Sequence, residues 1–457
     1  MFEFGRELKK LFGAEIGVRT RHDGLTGGDQ ALLELLDLEL LRGEGEAADQ
    51  AASRIAARDR PQRQLESAIV WREVARRSGD PAALRKAAAL AEAAARAFDR
   101  SRRPDGWARA RCEQAFCAIL GAELFGDEGL NAAAEIALRE ARRAARGGLA
   151  APLADVGLSA VEARRLMGSG DAQDARRASA RFDAPILALE ALVRRCSAAR
   201  ILAAEARAMR ADILAGWGAR LKDPQLLGMA IADAEAALGG LDRTYEPLTH
   251  ARLSIIRGQA LALSGEALGD LDAISDGVSI TAAVLDDLSR DHSPLDWARG
   301  HVALAQAVQA LGEASLSERA YEQAITCYER ADLVLRATPS LTLRAVAATN
   351  RAACLARCAE FSADLGVLDA AEAAFKMELS SQHSRRDPVS WALVQVNLAR
   401  IYEARIELTG QDRGERSKAA LALSAALDVF AEEGLRSFSL LALEGLERLK
   451  VRQLRPG

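Results

Sequence analysis

Aromatic residues, histidine and net charge are all scarce in this 457-residue chain, and each scarcity argues against a class of protein. Aromatic residues make up 4% of the sequence, and five histidines are scattered along it. The 61 basic and 65 acidic residues nearly cancel, so the chain lacks the basic excess of nucleic-acid-binding proteins. Few histidines leave little material for a catalytic or metal-binding cluster. We therefore expect a protein without enzymatic activity, cofactor, metal or nucleic-acid partner.

Long apolar runs are missing as well. No stretch approaches the roughly 20 apolar residues that cross a membrane as a helix. The opening MFEFGRELKKLFG carries charges where a signal peptide needs an apolar centre. The six cysteines show no regular pairing, which fits a reducing compartment. These features together predict a cytoplasmic protein.

The apolar content that is present points to helices. Hydrophobic residues make up 49% of the chain, and most of them are alanine and leucine, which favour helices over strands. Alternation of valine, isoleucine, threonine and tyrosine, which is typical of strands, is nearly absent. The sequence therefore predicts an all-α protein.

A 47-residue internal repeat organises these helices. Pro247 and Pro294 lie 47 residues apart, and Pro388 follows after twice that interval. Small residues recur at the same interval in three registers. The first register holds Ala204, Ala251, Ala298, Ala345 and Ala392; the second holds Ala211, Gly258, Ala305, Ala352 and Ala399; the third holds Gly218, Gly265 and Gly312. Self-similarity at a fixed period is the signature of a repeat architecture.

The residue types suggest how one unit folds. Proline suits the first turn of a helix, where its missing N–H costs nothing. Glycine about eighteen residues later can adopt the left-handed conformation that ends a helix. Small residues seven apart share one helix face and let a neighbouring helix approach closely. Each unit is therefore predicted to be helix A, a glycine-containing turn and helix B, with units starting near 61, 104, 152, 200, 247, 294, 341 and 388.

These units divide the chain into three predicted parts. Residues 1–28 form an amphipathic segment and a loop, and residues 29–432 form the repeat array, whose first unit is degenerate. Residues 433–457 form a capping helix and a tail, because a terminal unit must cover its exposed apolar face.

The residues of one unit resemble the tetratricopeptide repeat. In the unit that starts at Pro294, Leu304 and Ala305 match the Leu-Gly/Ala pair of helix A, and Gly312 matches the turn glycine. Ala324, Tyr328 and Ala331 match the small–aromatic–small series of helix B. The usual unit has 34 residues, and the surplus here is predicted to lie between the turn glycine and helix B. The long unit with a Pro-x-x-Trp-Ala opening resembles a bacterial subgroup of these proteins.

This resemblance implies a right-handed α-solenoid of about nine hairpins, with helix A lining a concave groove that binds a peptide or protein surface. The groove positions that the family implies are Arg109, Asp212, Arg252, Gln259, Arg299, Gln306, Arg400 and Glu403. Arginine and glutamine there could grip carboxylates or peptide backbone. The alternative is an ordinary solvated face.

Two functions stay open at this stage. The first is a protein-interaction scaffold or adaptor, and the second is a small-molecule or signal-peptide sensor. The lysine and asparagine clamp of co-chaperone domains is missing from the matching groove positions, so that specific activity is not expected.

The cysteines and His250 are predicted to pack between helices rather than to form a functional site. Cys354 and Cys358 lie one turn apart, and with Cys327 and His383 they could hold zinc; packing between helices is the favoured interpretation. His250 precedes Trp297 by one repeat and is expected to cover a hairpin end in its place.

The N-terminal segment is short, basic and amphipathic. Its apolar residues, Phe2, Phe4, Leu8, Leu11 and Phe12, alternate with Arg6, Lys9 and Lys10. Such a segment can contact a membrane surface through residues 1–13 or dock on a partner. Capping of the solenoid and disorder are the alternatives.

Overall fold

A computed structural model describes residues 30–54, 59–167, 170–196, 198–338, 340–362, 364–381 and 388–453. All regular structure within these residues is α-helical, which confirms the predicted all-α class. The helices are α1 (Gln30–Leu33), α2 (Leu38–Arg54), α3 (Arg60–Ser78), α4 (Pro81–Ala97), α5 (Pro104–Phe125), α6 (Gly129–Ala144), α7 (Ala150–Met167), α8 (Ala172–Ala180), α9 (Asp183–Leu192), α10 (Ala198–Leu221), α11 (Pro224–Leu238), α12 (Pro247–Leu268), α13 (Leu271–Asp287), α14 (Pro294–Ser315), α15 (Glu318–Leu335), α16 (Leu341–Ser362), α17 (Leu365–Ser381), α18 (Pro388–Thr409), α19 (Glu415–Glu432) and α20 (Arg436–Gln453).

Helix starts follow local sequence signals. The side chains of Asp80, Asp223 and Asp270 precede α4, α11 and α13, and each accepts a hydrogen bond from a backbone N–H in the first turn. Proline opens α4, α11 and α12, where its fixed φ angle is already helical. These signals place most hairpin boundaries within two residues of the positions that the repeat predicts.

The chain divides into two compact units. Unit 1 comprises residues up to 123 together with 129–303, and unit 2 comprises 124–128 together with 304 onward. Within each unit, consecutive helices pack as hairpins, and successive hairpins stack through their first helices: α10 packs on α12 in unit 1, and α16 packs on α18 in unit 2. This ordered stacking is an α-solenoid arrangement. Its predicted right-handed sense stays a prediction.

The 47-residue period is a structural period. Every alanine in the first two registers of small residues is buried. Contacts between neighbouring hairpins join residues one repeat apart: Arg176 and Asp223 are 47 positions apart, and Arg344 and Ser390 are 46 apart. Equivalent residues therefore occupy equivalent places against the next hairpin.

The third register of glycines has a role other than the one predicted. Gly218, Gly265 and Gly312 lie inside α10, α12 and α14, so none of them ends its helix. A β-carbon on each would contact the residue nine positions later, on the second helix of the same hairpin: Leu227, Ile274 or Tyr321. Glycine is therefore required for close contact between the two helices. The left-handed glycine that ends a helix is Gly79 after α3 and Gly269 after α12.

The surplus over a 34-residue unit also lies in an unpredicted place. Only residues 316–317 separate α14 from α15, so no long insertion follows Gly312. The first helices are long instead: α12, α14, α16 and α18 each have 22 residues. Longer helices add apolar contact along the whole hairpin, and the period grows with them.

The residues that carry the tetratricopeptide resemblance form the core of their hairpin. Ala324, Tyr328 and Ala331 on α15 are almost fully buried, as is Ala305 on α14. All six cysteines are buried and free. No group of three or more histidine, cysteine, aspartate or glutamate residues in the described part of the chain is placed to hold a metal, and His383 lies outside that part.

The C-terminal helix packs within unit 2. In unit 2, α20 packs on α19, and Leu435 and Phe438 lie beside Gly126. The segment with Phe2, Phe4, Leu8, Leu11 and Phe12 lies outside the described residues, and the domain boundaries at 28 and 432 stay predictions. None of the described helices is long and apolar enough to cross a membrane.

Alanine usually stabilises a helix when it replaces glycine, but the close contact at Gly265 predicts that it destabilises the fold there. A β-carbon there would lie 2.6 Å from the Asp270 carbonyl oxygen and 2.8 Å from the Ile274 nitrogen. Although alanine is the better helix former, we expect Gly265→Ala to lower the free energy of unfolding of unit 1 by about 1–3 kcal/mol. The measurement is denaturation by urea, followed by circular dichroism.

Gly228 provides the matched control. It also lies inside a helix, and a β-carbon on it would meet nothing within 4 Å. Gly228→Ala should therefore raise the free energy of unfolding by about 0.5–1 kcal/mol. Equal stabilisation by both substitutions would show that the helices do not approach closely at Gly265.

Candidate functional site

The first helices of the unit 1 hairpins bring many charged side chains together. Ordinary neighbour contacts in this chain join residues about one repeat apart, but several contacts in unit 1 span much longer separations. Arg76 and Glu205 are 129 positions apart, Arg252 and Glu73 are 179 apart, and Glu34 and Leu248 are 214 apart. The face of α3 thus meets α10 and α12 as well as its neighbour α5. This shared surface is the inner face of unit 1.

A set of paired charges, the inner charged cluster, lines part of this face. Its members are Arg72, Glu73, Arg76, Arg109, Glu113, Glu205, Arg252 and Asp296. On α3, positions 72, 73 and 76 fall on one side of the helix because residues three and four apart are neighbours there. One helix face therefore supplies three members of the cluster.

Arg252 on α12 pairs with carboxylates from two other helices. Its Nε donates to Asp296 Oδ2 at 2.8 Å, and its Nη2 donates to Glu73 Oε1 at 3.1 Å. Ser293 also donates to Asp296 Oδ2, at 2.7 Å. Arg252 and Asp296 are almost fully buried. One guanidinium therefore joins three helices, and its fork of donors suits two carboxylates.

Two further groups complete the cluster. Arg72 pairs with the buried Glu113 of α5, and Arg76 Nη1 donates to Glu205 Oε1 at 2.6 Å. Arg109 lies 3.5 Å from Glu113, yet its guanidinium nitrogens are buried without a hydrogen-bond partner among the described residues. Most charged groups of the cluster thus form ion pairs with other members of the cluster.

The segment around α1 is tied to the same face through its backbone and one carboxylate. Glu34 Oε2 accepts hydrogen bonds from the backbone N–H groups of Leu248 and Thr249, at 2.8 and 2.9 Å. It therefore caps the N-terminus of α12 from a distant part of the chain. Arg77, which is fully buried, donates to the carbonyl oxygens of Leu33 and Leu36.

The surrounding charges shift the ionisation of the cluster. Burial opposes ionisation of Glu73, but the guanidinium groups of Arg252, Arg77 and Arg76 outweigh it and hold the pKa of this carboxyl well below its usual range. The pKa of Asp296 is lowered in the same way, mainly by Arg252 against burial. Glu34 differs, because burial raises its pKa despite the opposing charge of Arg252. The guanidinium groups thus favour the ionised forms of Glu73 and Asp296, whereas burial disfavours the ionised form of the nearby Glu34.

A second part of the inner face is open. Asp212 on α10 is exposed, yet desolvation by the surrounding protein raises its pKa, against the charges of Arg164 and Arg299. An exposed group that is also desolvated lies on a concave wall. Neither Asp212 nor Arg299 forms a hydrogen bond or an ion pair with another described residue, whereas the neighbouring Arg164 and Glu123 pair with each other.

The eight groove residues that the sequence predicts thus lie in different structural environments. Arg109 and Arg252 are buried in the inner charged cluster, and Asp212 and Arg299 lie on the open part of the inner face. Gln259 is half-buried on α12, which packs between α10 and α13. The remaining three belong to unit 2: Gln306, Arg400 and Glu403.

Within unit 2, Glu403 is buried and lies 3.5 Å from Arg448 of the last helix. It therefore contacts the C-terminal helix of its own chain. Whether any of these eight residues binds a partner stays a prediction.

Sequence reasoning missed the contribution of α3. Its unit was identified from Pro61 and Gly79, but its charged side was not compared with those of later units. A signal was present, because Arg72, Glu73, Arg76 and Arg77 occupy one helix face between buried apolar residues. The pairing across 129 and 179 positions could not be read from that pattern.

Comparisons with known proteins give similar folds at low identity. No family model and no curated protein matches the chain. Among similar solved structures, the crystal structure of a Rap protein complexed with competence and sporulation factor has a TM-score of 0.46 and 12% identity. It covers 87% of this chain and 99% of its own. A circular tandem repeat protein with a novel repeat topology has a TM-score of 0.26 and 18% identity, covering 92% of this chain and 96% of its own. Because both TM-scores are below 0.5, the description of the fold rests on the contacts within this chain.

The depressed pKa of Glu73 predicts an acid-dependent effect. A carboxyl whose pKa is lower in the folded state stabilises the protein above its unfolded pKa of about 4.3, and this contribution is lost as the pH falls. Glu73→Gln should lower the free energy of unfolding of unit 1 by about 3 kcal/mol at pH 7, because buried guanidinium groups lose their partner. The difference from the unmodified protein should shrink as the pH falls toward 3. Urea denaturation at pH 7, 5 and 3 measures it.

Glu92→Gln is the control for this series. Glu92 pairs with Arg96 on the exposed side of α4, where both side chains are at least half exposed. Such a pair contributes about 0–1 kcal/mol, so the control should follow the unmodified protein at every pH. A pH-independent loss in Glu73→Gln would contradict the assignment of an ionised Glu73.

Proposed function

We propose that the protein is a non-enzymatic interaction module that binds an extended peptide segment of a partner protein on the open part of the inner face of unit 1. The supporting observation is that Asp212 and Arg299 lie on this face without a hydrogen bond or ion pair to another described residue. Charged side chains elsewhere on the same face are paired with one another. A pair of available charges on a concave wall is a typical recognition feature.

The chemistry of these side chains suits a peptide backbone. Arg299 offers several N–H donors to a carbonyl or carboxylate oxygen, and the carboxyl oxygens of Asp212 accept hydrogen bonds from N–H groups. Gln259, which occupies the Asp212 position one repeat later, carries both a donor and an acceptor. An extended peptide presents N–H and C=O groups alternately along its length. Recognition would therefore combine backbone contacts with the two charges.

Binding without covalent chemistry agrees with the state of the thiols. Burial raises the pKa of Cys112 and of Cys354 to about 12, so both remain protonated at neutral pH. A thiol of that kind is a poor nucleophile.

We further propose the finer assignments that the sequence predicts. The chain would be a long-repeat member of the tetratricopeptide class, and it would act as a scaffold or adaptor in the cytoplasm. These assignments rest on the 47-residue period and on the buried residues that carry the resemblance.

A peptide-selection experiment tests the binding proposal. Peptides would be selected against the full chain from a display library of extended sequences, and their dissociation constants would be measured by fluorescence anisotropy. Asp212→Asn and Arg299→Gln should each weaken the selected peptides at least tenfold, because a hydrogen bond to a charged group contributes about 1.5–3 kcal/mol. Asparagine keeps the size and shape of the aspartate side chain, and glutamine removes the charge of arginine while it stays polar.

Arg176→Gln provides the matched control, since Arg176 is an exposed arginine on α8 that pairs with Asp223. It should leave the affinity unchanged. Equal affinities in all three variants would exclude the open part of the inner face as the binding site. A large thermal shift with a metabolite that persists in Asp212→Asn would favour a small-molecule sensor over the proposed module.

A further inference from the structure

A cavity of about 340 Å³ opens between α12 and α13, at the end of the hairpin where α12 begins. Its lining is mainly apolar, and polar groups lie around it. The lining residues are Arg243, Pro247, Leu248, His250, Ala251, Ser254, Ile280, Ala283, Val284, Asp287, Leu288 and His292. Such a mixture suits an apolar side chain that enters with polar neighbours.

The repeat explains why this hairpin has a cavity. The position of His250 is occupied by Trp297 one repeat later and by Trp391 three repeats later. Trp297 packs with its ring edge against His301, at 4.2 Å between ring centroids, and joins the apolar cluster of Leu248 and Leu288. Imidazole is smaller than indole, so less of the hairpin end is filled at His250. The cavity is a departure from the repeat pattern.

The surface of α13 beside the cavity is acidic. Between Leu271 and Asp287 the helix carries four aspartates and no basic residue. These aspartates are exposed: Asp272, Asp276, Asp286 and Asp287. Arg243 pairs with Asp287 at the cavity itself, which leaves the other three carboxylates to attract a basic partner.

The described chain begins next to this cavity. The carboxylate of Glu34 is bound to the N–H of Leu248, a lining residue, at 2.8 Å, and the Glu34 carbonyl oxygen lies 2.6 Å from Nε2 of His292, another lining residue. The backbone N–H of Leu38 contacts the carbonyl oxygen of Asp291, at 3.4 Å. The residues that precede Gln30 therefore start from a point that is held against the cavity.

We propose that residues 1–13 of this chain dock on the α12–α13 cavity, with an aromatic residue of the segment, Phe4 or Phe12, inserted between the two helices. Arg6, Lys9 and Lys10 would then face the aspartates of α13. The segment combines apolar residues with three basic residues, Arg6, Lys9 and Lys10, which outnumber its two acidic residues, Glu3 and Glu7. Insertion of one phenylalanine would remove its apolar ring from water, which favours docking.

The length of the intervening chain favours intramolecular docking. Residues 14–29 connect the segment to α1. A connection of about 16 residues spans at most roughly 53–58 Å even when fully extended, so it keeps the segment near the cavity and raises its effective concentration there. An isolated helix of this length is marginal in water, so contact with the cavity would supply its stability. A modest intrinsic affinity is enough.

Photo-crosslinking in the full chain tests this proposal. Benzoylphenylalanine at position 4 should crosslink to residues of α12 or α13 of the same chain, as identified by mass spectrometry. Ala283→Trp places an indole in the cavity and should reduce this crosslink at least tenfold. Ala283 is exposed, so the substitution leaves the buried core intact.

Ala236→Trp is the matched control, because Ala236 is an exposed alanine on α11 at the equivalent position one repeat earlier. It should leave the crosslink unchanged. A mixture of isotopically light and heavy chains distinguishes docking within one chain from docking on a second copy. Crosslinks between light and heavy chains, crosslinks to other helices, or an equal yield in Ala283→Trp would each overturn the proposal. So would stable binding of anionic vesicles by the unmodified chain through residues 1–13 in place of the crosslink.

Discussion

Close contact between the two helices of each hairpin is the constraint on which the rest of the fold depends. At Gly218 and Gly265 the facing helix leaves no room for a β-carbon, and at Gly312 it leaves little; the buried alanines of the other registers let neighbouring hairpins stack. Because each contact recurs after 47 residues, each hairpin presents the same surface to the next. The long first helices then place equivalent positions of α10, α12 and α14 side by side in sequence. Charged residues at those positions are brought together by the same packing.

The inner face of unit 1 shows how such a repeat becomes specialised. Its helices share one packing plan, but α3 meets α10 and α12 through ion pairs that span several repeats. Arg252 joins Glu73 and Asp296, while Asp212 and Arg299 lie on the same face without a paired neighbour. Part of the surface is thus occupied by the chain itself and part is available. A partner that binds there meets a wall whose charges are already positioned by buried contacts, which lowers the entropic cost of recognition.

Departures from the repeat are as informative as the repeat itself. His250 stands where two of the three later units have tryptophan and the other has Arg344, and a cavity opens beside it. Glu34 lies outside the regular units, and it supplies an N-terminal cap to α12 that the local sequence around Glu246 does not provide. Both departures occur at one end of the α12–α13 hairpin. A single position where the pattern fails can therefore mark a contact with a segment from elsewhere in the chain.

The repeat period, the helix boundaries and the burial of the small-residue registers were determined by the sequence alone. Each of them depends on residues that are close in the chain or separated by one fixed interval. Helices begin at Pro247 and Pro294, and Ala251 and Ala298 are buried, as the spacing of these residues predicts. The role of Gly265 was decided by the tertiary structure, since a helix-ending glycine and a helix-contact glycine look the same in sequence. The pairing of Glu73 with Arg252 was decided there too. Such a contact across 179 positions depends on how many hairpins stack before the two helices meet. Each hairpin is rotated slightly relative to the one before it, and no local sequence pattern encodes the accumulated rotation.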